Sequence, residues 1–147
     1  MRSAYSIPRF LMLALRGLID LGTARVGLAR VKPHGVLVRN RKMALLRASQ
    51  NSPAEIAHRC DEAAFFISRM AARVPWRSDC LVQALAGQRW LARLGIPSEI
   101  VVGTAKAANG QFDAHAWLRH GDRIVLGGDV SRYQPLLDPD ATVFKLD

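Results

Sequence analysis

The chain has little cysteine. Two thiols among 147 residues, Cys60 and Cys80, make no disulfide framework, so the setting is read as reducing and cytoplasmic. No Cys/His cluster has zinc-ligand spacing, and neither a metal nor a cofactor is expected. A long uncharged apolar run is also missing. Ile7 to about Val31 is rich in apolar residues, but Arg9, Arg16, Asp20 and Arg25 interrupt it. A transmembrane helix needs roughly twenty apolar residues with few charges. The stretch Phe10 to Leu15 is only six residues long, short of the roughly 7–15 of a signal peptide. An amphipathic helix or helix pair docked on the body is expected instead, without membrane contact.

Acid is nearly absent from the first third. Met1 to Asn51 holds ten Lys/Arg and one acid, Asp20, while the remainder holds eleven of each, so the whole net charge of +9 sits at the start. Such a patch could meet an acidic protein or peptide, an anionic membrane surface or a nucleic acid; charge alone does not choose among them, and no arginine–aromatic stacking motif or DNA-binding signature sharpens the last. What is present in quantity is apolar content, 50% of residues. That is enough for one domain over 1–147, with a basic helical region at 1–51 and a core region at 52–147.

The local signals then run in order. Lys32-Pro33-His34-Gly35 reads as a break, with a weak helix from about Val36 to Ala48. Ser52-Pro53-Ala54-Glu55 combines an N-cap, a proline at the first helical position and a capping box. The helix it starts runs to about Ala72, with Ile56, Cys60, Ala63, Ile67 and Met70 on its buried face. Val74-Pro75-Trp76 ends it. A further helix spans about Asp79 to Arg93, with Leu81, Leu85, Trp90, Leu91 and Leu94 apolar and Gly95 as its stop. Strands follow at Glu99–Thr104, Phe112–Arg119 and Arg123–Leu126, with turns at Asn109-Gly110 and Gly121-Asp122. Thr142–Leu146 reads as a last edge strand. Helices first and an antiparallel sheet after them make an α+β fold.

Two residues stand out chemically. Cys80 follows the N-cap residues Ser78 and Asp79, so unpaired N–H groups and the helix dipole favour its thiolate. His115 lies in a strand that alternates Ala114, Ala116 and Leu118 with Asp113, His115, Trp117 and Arg119. The small face suits a core and the His/Trp face a sheltered site. Nucleophilic thiol catalysis needs a thiolate, a base, and a group that orients the base. Three acids are candidates for the last role. Asp122 sits at the hairpin tip, over 20 Å away along a strand, and Asp113 is about 6–7 Å from His115 on its own strand. Folding the hairpin brings His115 opposite Gly127 or Gly128, so Asp129 is preferred. Cys60 reads as a core residue, and His34, His58 and His120 as surface residues.

The order Cys80, His115, Asp129 resembles the transglutaminase-like cysteine protease superfamily, and more narrowly the lasso peptide biosynthesis B2 proteins. The resemblance runs from about Pro75 to Leu137. It rests on Ser78-Asp79-Cys80-Leu81, Leu94-Gly95-Ile96-Pro97, Val101-Val102-Gly103, Ala114-His115-Ala116-Trp117-Leu118, Gly127-Gly128-Asp129 and Tyr133-Gln134-Pro135-Leu136. Arg119 departs from it, standing where many members carry an acid. The resemblance implies a transglutaminase/papain-like core and a thiol peptidase that removes the leader from a ribosomally made lasso precursor peptide. It also implies a leader-recognition (B1) protein as partner, and a lasso cyclase acting next. The residues alone leave two alternatives open: a non-catalytic basic adaptor for an acidic partner, and a transglutaminase-like acyl transferase.

Overall fold

The computed structural model describes residues 5–30, 32–47 and 50–136. Four helices come first: α1 (Ile7–Arg30), α2 (Pro33–Leu46), α3 (Pro53–Ala71) and α4 (Cys80–Arg93). Four strands follow: β1 (Glu99–Lys106), β2 (Phe112–His120), β3 (Arg123–Leu126) and β4 (Gln134–Pro135). They form one sheet in the order β3-β2-β1-β4, antiparallel throughout. The expected α+β order is therefore what the chain adopts.

Local chemistry explains the helix starts. Ser52 accepts a hydrogen bond from the Glu55 amide, and the Glu55 carboxylate accepts one from the Ser52 amide at 2.8 Å. Both are amides that a helix start leaves unpaired. Asp79 does the same for α4, with Oδ1 accepting from Val82 N at 3.1 Å. In α2 the proline expected to mark a break occupies the first turn instead, where its missing N–H costs nothing. The helix therefore begins three residues earlier than hydrophobic periodicity suggests.

The core lies between the helices and one face of the sheet. Phe66 of α3 and Trp90 of α4 stack at 6.2 Å, and both are fully buried. Leu21, Ile67, Leu85, Leu91 and Leu118 complete the centre, each large apolar side chain contributing about 1.5–3 kcal/mol of burial. Cys60 is part of this cluster, as expected, and burial pushes its thiol pKa up. Helix α4 meets the sheet at Gly87, where a Cβ would lie 2.4 Å from Leu126 Cδ1 and 2.9 Å from Leu118 Cδ2. Only a residue without a side chain lets helix and strands approach this closely.

A buried charge cluster ties α1 to α4. Asp20 is fully buried, with Arg89 Nε at 3.0 Å, Arg93 at 3.6 Å and Arg16 at 3.9 Å. Arg16 also covers the Trp90 ring and donates to the Trp90 carbonyl at 3.0 Å. Two of the charges that seemed to interrupt α1 therefore point into the protein. Burial pushes the Asp20 carboxyl pKa up even against these arginines. Strand β4 was not expected from the sequence; its two residues pair with Gly103 and Thr104. The strand expected at Thr142–Leu146 lies outside the described residues.

Candidate active site

Cys80 is the first residue of α4 and is partly exposed. The turn before it is held by Gln83, whose Nε2 donates to the Ser78 carbonyl at 2.8 Å. Two of the first amides of α4 are taken: Val82 N–H by Asp79 Oδ1 and Gln83 N–H by the Asp79 carbonyl. Those of Cys80 and Leu81 stay unpaired among the described residues. They form the end of the helix dipole beside the thiol, and suit a developing oxyanion.

His115 lies in the middle of β2, opposite Gly103 of β1. Leu118, three residues on, packs against α4 at Gly87, so alternation puts His115 and Trp117 on the other face. There His115 is half-buried, with its ring 4.8 Å from that of Tyr133 and 6.3 Å from that of Trp117. Its Nε2 lies 2.8 Å from the carbonyl oxygen of Gly127. A carbonyl can only accept, so Nε2 carries the hydrogen. The lone pair of the neutral ring is then on Nδ1, which makes Nδ1 the basic atom.

The three candidate acids separate clearly. Asp113 does not touch the histidine. Its carboxylate accepts from the Tyr133 hydroxyl at 2.8 Å and pairs with Arg132 at 2.6 Å, which fixes Tyr133 against the imidazole. Asp129 is exposed, and its Oδ1 accepts from Ser131 N at 2.9 Å. This bond from the Ser131 backbone holds its carboxyl pKa below the usual range. Asp122 is exposed beside the hairpin turn. The carbonyl of Gly127, two residues before Asp129, is thus the group that holds the ring. Among the described residues no hydrogen bond joins Cys80 Sγ to His115, so thiol and oriented base stand as two separate pieces.

The family model of the transglutaminase-like superfamily matches residues 23–138. The chain belongs to the transglutaminase-like superfamily. No curated protein and no solved structure matches it. The match takes in α4, the sheet and all three expected site residues, and it fits the thiol chemistry of a cysteine peptidase or acyl transferase.

Sequence reasoning underrated Tyr133, which appeared there only within a family motif, and missed the Gly127 carbonyl, which no side-chain pattern can announce. Arg119 pairs with Glu99 at 3.1 Å, answering its departure from the family pattern with a local partner. His120 is half-buried, with Nδ1 2.6 Å from the Pro97 carbonyl, and His58 is exposed. No group of His, Cys, Asp and Glu among the described residues is arranged to hold a metal. A cavity of about 540 Å³ lies between α2, the C-terminal half of α4 and the β2–β3 turn. Asn40, Gln88, Ser98 and Arg119 line it, and neither Cys80 nor His115 does.

Proposed function

We propose that this superfamily member is a cysteine peptidase that removes the leader from a lasso peptide precursor, working with a leader-recognition protein. The observation that carries the reading is the state of His115. A carbonyl holds Nε2–H and leaves Nδ1 as the free base, in a chain whose only partly exposed cysteine opens a capped helix. In this reading the Cys80 thiolate attacks the scissile carbonyl, and the oxyanion meets the amides of Cys80 and Leu81. His115, protonated by the thiol, gives that proton to the departing amine of the core peptide. Water, deprotonated by Nδ1, then cleaves the leader thioester and returns the thiol. Asp129 is the orienting acid, acting through the turn that presents the Gly127 carbonyl. A cyclase would close the freed core peptide afterwards.

The test is cleavage of a precursor peptide in the presence of its leader-binding partner. Cys80→Ala and His115→Ala should each abolish product, and full cleavage by either variant would overturn the reading. A second reading has support from the same family match: transfer of the acyl group to an amine. Product mass separates the two, since hydrolysis adds water and transfer adds the amine. An adaptor without activity would survive Cys80→Ala and fail when Arg39, Arg41 and Lys42 are neutralised.

A further inference from the structure

Helix α1 is apolar on two opposite sides. Leu13, Gly17, Leu21 and Ala24 face the core. On the other side Ile7, Leu11, Leu15, Ile19 and Val26 form one row, each between 49% and 78% exposed. The row runs for about 28 Å at 1.5 Å per residue, and Met12 widens it. A surface helix ordinarily turns polar residues outward. Here the one acid of α1, Asp20, points inward instead. An exposed apolar strip of this length marks a contact surface. At its N-terminal end the strip drops into a groove between α1 and α3, lined by Ile7, Leu11, Ala57 and Phe65, with Asp61 and Glu62 in its wall each already paired to an arginine.

We propose that this strip and groove seat an amphipathic helix of a partner protein, apolar along the contact and acidic at its margins. Charge selects the partner. The first third carries the whole +9 excess, and Arg25, Arg30, Lys32, Arg39 and Lys42 stand exposed along α1 and α2. A second copy of the chain would bring two such regions together against their repulsion. A flat bilayer would meet the row but leave the groove unfilled, whereas a helix fills a groove with its apolar ridge. The inference stands apart from the peptidase reading, since it needs no activity.

The test uses a synthetic amphipathic peptide with leucines on one side and glutamates at the margins, and a twin with lysines for the glutamates. The full chain should bind the glutamate peptide at least about tenfold more tightly than its twin. Hydrogen exchange should slow along 7–26 when it binds. The double variant Leu11→Ser, Leu15→Ser should lose about tenfold in affinity with its thermal melting kept, as both side chains are exposed. If that variant folds poorly, Arg25→Glu with Arg30→Glu should erase the preference for glutamate. Equal binding of the twins, or undiminished binding by the variants, would overturn the proposal. So would two other results: α1-dependent binding to phosphatidylglycerol vesicles without peptide binding, and an α1-dependent dimer in sedimentation.

Discussion

Replacing Gly127 with alanine puts a methyl group where the candidate site has no room for one. The new Cβ would lie 2.3 Å from Trp117 Cβ and 3.1 Å from Trp117 Cα. The second contact is backbone, so rotating a side chain cannot relieve it; the end of β3 must move away from β2. Gly127 also has φ of +124°, which costs an alanine about 1–3 kcal/mol in strain. Overpacking adds a similar amount, so the total loss is about 2–6 kcal/mol. In a chain of this size each kcal/mol lowers Tm by about 2–4 °C, giving a fall of roughly 5–20 °C. The movement that relieves the clash also carries the Gly127 carbonyl off His115 Nε2. Gly128→Ala is the control. Its φ of +69° is strained as well, but nothing lies within 4 Å of the added methyl, so it should cost only about 1–2 kcal/mol. Circular dichroism melting measures the stability, and imidazole nitrogen NMR reports which ring nitrogen of His115 carries the proton. The native chain and Gly128→Ala should show Nε2–H; Gly127→Ala should show a mixture of tautomers. If the two variants melt together and keep the same tautomer, the close contact with Trp117 is not what fixes this carbonyl.

Iodoacetamide should label Cys80 in the native chain and reach Cys60 only after denaturation, because Cys60 is 1% exposed and its thiol pKa is raised by burial. Peptide mapping reads this directly, and labelling of native Cys60 would contradict it. Asp129→Asn keeps an oxygen that can accept from Ser131 N, so it should retain most cleavage activity, whereas Asp129→Ala should lose it with a mixed His115 tautomer. Acid should weaken the turn only as the asparagine variant does, because a protonated Asp129 keeps a carbonyl oxygen that can accept from Ser131 N. The Asp129 pKa is depressed in the folded state, so the contribution of its charge is complete above its ordinary value and is lost as pH falls through the folded one. Loss of the Nε2–H tautomer at neutral pH in Asp129→Asn would show that its charge, rather than the turn, is what matters.

The fold was legible where its causes are local. Ser52-Pro53-Ala54-Glu55 announces α3 because every group in the cap lies within four residues. The limits of β3 can be read from Arg123–Leu126 because turn residues bracket three consecutive apolar residues. Strand β4 could not be read this way. Gln134-Pro135 has no strand propensity, and its pairing with Gly103 and Thr104 depends on where the chain returns after Gly128. In α1 the error was about direction. Arg16 and Asp20 look like interruptions in a linear reading, yet both find partners inside: Arg16 the Trp90 carbonyl, Asp20 the Arg89 and Arg93 side chains. That leaves the outward face more apolar than a charge count suggests.

The candidate site shows a different boundary. A helix cap and a two-residue alternation are enough to place Cys80 and His115, but what orients the histidine is set by a backbone atom. Looking for a carboxylate led to Asp129, two residues from the group that makes the contact. For the proposed thiol chemistry a neutral orienting group is sufficient. When a serine is the nucleophile, its proton passes to the histidine as a formal charge builds on the substrate, and a carboxylate helps to hold the resulting imidazolium. A cysteine can give up its proton before attack, so the thiolate itself balances the imidazolium. What remains is to keep the hydrogen on Nε2 and the ring in place. The Gly127 carbonyl does the first at 2.8 Å, and Tyr133, tethered by Asp113 and Arg132, does the second. Asp113, set aside as too distant to touch His115, therefore acts on it through a tyrosine. In the proposed mechanism Asp129, preferred for its nearness, would act through a turn.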